Sequence, residues 1–114
     1  MIRLFLAVET FGFMLAALVH FGVILQGNEH ERARIPESII ALVLLIGLVL
    51  ISFRPALTRR ISFAVQGFAL LGTLVGVFTI IVGIGPQSAG DIVFHVCIVA
   101  LLVTGLILTK RTTA

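Results

Sequence analysis

The chain reads as an all-α integral membrane protein: one domain, residues 1–114, folded as a bundle of four membrane-spanning helices. Three observations predict this. Of its 114 residues 60% are hydrophobic and 11% charged, against roughly 45–50% and 25% in soluble domains, and the mean hydropathy is +1.25. Four apolar runs, each near the ~20 residues that carry a helix across a bilayer core, are separated by three short polar stretches. Six of the eight basic residues, Arg3, Arg54, Arg59, Arg60, Lys110 and Arg111, stand at the ends of those runs, the positive-inside pattern rather than a nucleic-acid surface. They assign both termini and the middle connection to the cytoplasm of a bacterial-type cell, with the inner membrane as location, and leave residues 26–35 and 85–90 outside. The lone Cys97 excludes an internal disulfide.

Helix 1 is expected over residues 4–25. Its basic start and apolar run resemble a signal peptide, but Glu9 interrupts the run and no convincing A-x-A site follows, so it counts as a span. Small residues Gly12, Ala16, Ala17 and Gly22 suit close helix contact. Gly27-Asn28 is the expected stop, followed by a charged loop with Glu29, His30, Glu31, Arg32 and Arg34.

Helix 2, residues 36–53, opens on Pro36 with Glu37 behind it, both favoured in a first turn. Beyond Ser38 it is almost wholly aliphatic, which predicts broad lipid exposure. Pro55 ends it in the connection that holds Arg59 and Arg60. Helix 3, residues 61–84, carries the G-x-x-x-G pair Gly72 and Gly76, a close-packing surface, with Gln66 and Thr73 on the adjoining stripe. Gly85-Pro86 is its expected end. Helix 4, residues 91–109, follows Ser88-Ala-Gly-Asp91, spaced as a capping box. Shifts of 57 and 58 residues align Ala7-Val-Glu9-x-Phe11 with Ala64-Val-Gln66-x-Phe68, and residues 44–50 with 102–108. An internal repeat of two tandem hairpins is one reading of that match, although apolar sequence matches itself cheaply.

The chemistry concentrates on the few ionisable groups inside the spans, which cost several kcal/mol there unless paired or wetted. Eleven residues separate Glu9 from His20, which at ~100° per residue closes three turns to within ~20°, so both project from one helix face. His20 and His95 each lie four or five residues from the outer ends of their expected helices, a shared depth of roughly 6–8 Å. With Asp91, Glu37 and His30 as partners they could hold a transition-metal ion, or supply both axial ligands of a haem between the helices. The bland alternative is that Asp91 caps, Glu37 suits a helix start and each histidine ties two helices together. Glu9 is a candidate proton or cation site, with Gln66 and Thr73 on the facing helix; its structural alternative is a carboxyl hydrogen-bonded to Gln66 or Thr10. Ser38, Ser52, Ser62 and Ser88 lie at helix ends, where capping accounts for them, and no nucleophile with a base beside it is suggested, so an enzyme is the less favoured class.

Size, four spans and Glu9 in the first helix resemble the small multidrug-resistance transporters. That resemblance implies a dimeric, proton-coupled exporter of cationic compounds. The chain departs from it by having no Trp or Tyr, by its charged outer loop, and by His20 and His95 inside helices. The leading expectation is therefore a His/carboxylate site in the outer half that binds a metal ion or metal cofactor. The alternatives are a carrier built on Glu9 and an accessory subunit of a larger membrane complex; the lipid bilayer is the partner common to all three, with a homodimer or larger assembly beyond it.

Overall fold

The computed structural model describes residues 1–24, 27 and 29–112. It is a bundle of four helices, α1 (Ile2–His20), α2 (Glu31–Phe53), α3 (Thr58–Ile81) and α4 (Ala89–Arg111), with a single 3-10 turn, Pro55–Leu57, between α2 and α3. There are no strands among the described residues. Each helix is long and apolar enough to cross a membrane, and the bundle is 43 Å in its longest dimension, more than the ~30 Å of a hydrocarbon core. By the hydropathy of its helices this is a multi-pass membrane protein.

α1 packs along α2, and α3 along α4. α1 ends and α2 begins at the same end of the bundle where α3 ends and α4 begins; the start of α1, the end of α4 and the α2–α3 turn share the other, with all six helix-end basic residues. The dry core is Leu6 and Phe13 of α1, Leu44 and Ile51 of α2, Ala69 of α3, and Ile98 and Leu102 of α4. Phe13 meets Phe94 edge to face, ring centroids 5.8 Å apart. Outward faces carry Leu42, Ile46, Leu71, Val75, Val93 and Val96, as expected where the surrounding medium is lipid rather than water.

The helix ends differ from the sequence reading for local reasons. α1 stops at His20, short of the expected limit, because Gly22 adopts φ 79°. Its N–H donates to Val19 O and that of Val23 to Leu18 O, a Schellman closure that glycine accommodates without strain. Gly83, at φ 86°, closes α3 in the same way on Ile80 and Thr79, ahead of the expected Gly85-Pro86 stop. Residue 25 and the expected stop at Asn28 lie outside the described residues. α2 starts five residues early, at Glu31. His30 caps it, its Nδ1 accepting from Ala33 N at 3.1 Å, so the second half of the expected outer loop, residues 31–35, is helix. Pro36 thus lies inside α2 instead of opening it; the carbonyl it leaves unbonded belongs to exposed Arg32, where it loses little. α4 begins on the expected capping box, Ser88 Oγ accepting from Asp91 N and Asp91 Oδ2 from Ser88 N, both at 3.1 Å.

α2 is not uniformly exposed. Glu37, Ile40, Ala41, Leu44, Gly47 and Ile51 are buried on one stripe, whereas Ile39, Leu42, Ile46 and Val49 face outward. α2 and α4 are offset by 58 residues at both ends, while Gly22 and Gly83, which end α1 and α3, do not fall at 57. The two hairpins are alike in length but are not related by one shift.

Candidate functional site

Three helices meet on His20. Its Nδ1 faces Glu37 Oε2 at 2.6 Å and its Nε2 faces Asp91 Oδ1 at 2.9 Å. The ring is 3% exposed and the two acid side chains 8% and 16%, so α1, α2 and α4 are joined by one acid–imidazole–acid chain removed from bulk water. Each element supplies its member for a sequence reason. The Glu9/His20 face of α1 is its buried face, with Phe13 and Ala16 between. The early start of α2 places Glu37 almost two turns inside the helix, level with the end of α1. The capping box holds the Asp91 carboxylate: Ser88 N and Ser88 Oγ both engage Oδ2, leaving Oδ1 for His20. His30 lies beside this chain: its N–H donates to His20 O at 3.0 Å, and the two imidazole rings stand 6.0 Å apart.

His95 is buried beside this chain but is wired differently. Its Nδ1 lies 2.7 Å from the Asp91 carbonyl, which can only accept, so Nδ1 carries a proton; in the tautomer this contact selects, Nε2 is the acceptor. Gly76 gives that edge its room: a Cβ there would lie 3.1 Å from His95 Nε2. Gly72 serves Ile40 of α2, whose Cδ1 would be 2.9 Å from an added Cβ. The expected packing stripe of α3 therefore splits, one glycine against α2 and one against a histidine.

Between α2, α3 and α4 is a cavity of about 210 Å³. His95, Glu37, Thr73 and Thr79 supply its inner polar atoms, Ile40, Phe13 and Phe94 much of its apolar wall, and His30 and Arg32 stand at the loop end. Thr73 and Thr79 donate to the carbonyls of Ala69 and Gly76, so they too present only lone pairs to the cavity. Exposed Val75 and Ile84 contribute to its lining, which gives it an opening on the outward face of α3.

A shared metal or haem centre on His20 and His95 is not what this geometry builds. His20 lies between its two acids rather than beside them, and a ring nitrogen that faces a carboxylate has no lone pair directed at a common point. Among the described residues no group of three or more His, Cys, Asp and Glu side chains could hold a metal ion. His30 uses Nδ1 as the cap of α2.

Glu9, Gln66 and their neighbours form a second polar cluster nearer the termini. Glu9, Gln66 and Thr73 are all buried, but Thr73 turns to the cavity between α2, α3 and α4 and leaves Glu9 with Gln66. Thr10 is not the partner of Glu9, since its hydroxyl donates to Leu6 O at 2.6 Å. Sequence reading missed three members. Ser62 is fully buried with an unpartnered hydroxyl, not a cap. Thr109 accepts from Gln66 Nε2 at 2.8 Å, and Gly105 leaves the gap into which the Glu9 and Gln66 oxygens project. The i, i+4 spacing of Gly105 and Thr109 was the available signal. No family model, curated protein or solved structure matches this chain.

Proposed function

We propose that the outer-half cavity binds a small molecule with an apolar body and a hydrogen-donating or cationic end, in a protein of the cytoplasmic membrane whose termini lie in the cytoplasm. The observation that carries this reading is the polarity of the inner wall: His95 Nε2, the Glu37 carboxylate and the two threonine hydroxyls all offer acceptors. An apolar pocket with a few convergent polar groups is the usual form of a small-ligand site. Its volume exceeds the ~150 Å³ of an apolar cavity that takes up benzene, so a one-ring amine fits the size and the chemistry. Glu37 supplies negative charge, His20 and Asp91 fix Glu37, and Gly76 keeps the space beside His95 open. The opening past Val75 and Ile84 suits a ligand that partitions into lipid. The assignment of sides rests on the six basic residues at the terminal end. Neither a carrier nor an accessory subunit draws an observation of its own from this cavity.

Thermal unfolding of the detergent-purified protein with benzylamine, benzyl alcohol and benzoate tests the reading. Benzylamine should stabilise most and benzoate not at all; a ligand at ~100 times its Kd adds about 2.7 kcal/mol. Gly76→Val, which fills the cavity beside His95, should remove the stabilisation. Equal responses to amine and acid, or an undiminished response in Gly76→Val, would overturn the proposal.

A further inference from the structure

In the cluster around Glu9, three buried acceptor oxygens have no donor within hydrogen-bond reach among the described residues. Glu9 is fully buried, and neither of its oxygens has a partner among the described residues. Gln66 Oε1 is also buried and unpartnered. Its orientation is not arbitrary, because the amide nitrogen of Gln66 is held at Thr109 Oγ1, 2.8 Å, and Ser62 O, 3.2 Å. Thr109 in turn donates to Gly105 O at 2.8 Å, so its hydroxyl can only accept from Gln66. This network fixes the amide with its oxygen toward Glu9. Both Gln66 Oε1 and Glu9 Oε1 crowd the place where Gly105 lacks a side chain, which puts two acceptors together in the dry interior.

No protein cation resolves this. On α1 the other titratable groups are Arg3 and His20, at the two ends; α2 has none between Glu37 and Arg54, and α3 none beyond Arg60. α4 has only Cys97, exposed on the outer surface, between His95 and Lys110. His20 is engaged by Glu37 and Asp91. A carboxyl so placed requires one positive charge from elsewhere.

We propose that Glu9 and the Gln66 amide oxygen form an intramembrane site for one small exchangeable monovalent cation, H⁺ or Na⁺, bound by oxygen alone. The donor set is that of hard cations, carboxylate and carbonyl oxygen with no nitrogen or sulfur. Ser62, one turn from Gln66 with a free buried hydroxyl, is a further oxygen on the same helix face. The site is separate from the outer cavity and does not depend on its ligand.

A hydrophobic carbodiimide tests this on the intact protein. The reagent adds the O–H of a protonated carboxyl, reached from the lipid when the buried site opens to exchange its cation, across one of its C=N bonds, giving an O-acylisourea that rearranges to a stable N-acylurea, with no other reactant required. Glu9 modification is read by peptide mass spectrometry across pH, in sodium chloride or choline chloride. The expected result is labelling at Glu9 that declines as pH rises. Sodium slowing that labelling several-fold at fixed pH identifies Na⁺ as an occupant; equal rates in the two salts identify the proton alone. Gln66→Leu should abolish any sodium protection while Glu9 still reacts, and wild-type rates suffice if that variant does not fold. A Glu9 inert at every pH, or one labelled at a rate independent of both pH and sodium, would overturn the site.

Discussion

His20 separates two acids that belong to different helices, so its removal would leave Glu37 and Asp91 as uncompensated charges in a nearly dry place. His20→Ala is expected to cost about 3–5 kcal/mol, the range for breaking a buried ion pair, read as a lower midpoint in denaturant or heat. Asp91→Asn should cost less, since His20 keeps Glu37. A His20→Ala protein as stable as the wild type would remove the acid–imidazole–acid chain as a structural tie. Gly105→Ala is the matching test at the other cluster: its methyl would collide with the Glu9 and Gln66 oxygens, an overpacking expected to cost about 1–3 kcal/mol. Unaltered unfolding of Gly105→Ala would mean that the two oxygens are not held against α4. At this scale the sequence exposed the costly residues, because any charge in a twenty-residue apolar run stands out. It did not expose Gly105, Thr109 or Ser62, whose types are ordinary in membrane helices and gain meaning only from what lies opposite.

Helix ends are where single residues set the shape of an element. Gly22 and Gly83 both sit at positive φ, but a Cβ at Gly22 would also meet the Glu29 side chain, with Oε1 at 2.7 Å, whereas nothing lies within 4 Å at Gly83. Alanine at Gly83 is expected to cost about 1–2 kcal/mol for the left-handed backbone alone, and at Gly22 more than that; equal losses in thermal unfolding would show that Glu29 does not pack there. Ser88→Ala should remove about 1 kcal/mol with the cap and also loosen Asp91 from His20. The S-x-x-D cap was readable because it is a local pattern. The ends of α1 and α2 were not, since Gly22 stands in an otherwise apolar stretch and the first turn of α2 has the composition of a loop. The buried face of α2 was equally invisible: a helix aliphatic on all sides gives no contrast between core and lipid.

For the whole molecule, the six basic residues at the terminal end predict its orientation across the membrane. In a Cys97→Ser background, Thr58→Cys should react with an impermeant thiol reagent only from the cytoplasmic side and Gln87→Cys only from outside. The reverse pattern would move the outer cavity to the cytoplasmic face. Composition and run length by themselves determined that the chain folds as four membrane-spanning helices, because the requirement to satisfy the backbone inside lipid leaves an apolar run of that length little other choice. Helical phase likewise determined that Glu9 and His20 share the inward face of α1. The tertiary structure decided what those residues do. Only the placement of α2 and α4 beside α1 puts an acid on each side of His20, turning an expected metal ligand into a link between carboxylates. Only the fixed amide of Gln66 leaves Glu9 facing another acceptor. A sequence records which groups are costly to bury, but their partners come from other helices, and helix rotation and register are set by packing that an aliphatic pattern does not encode.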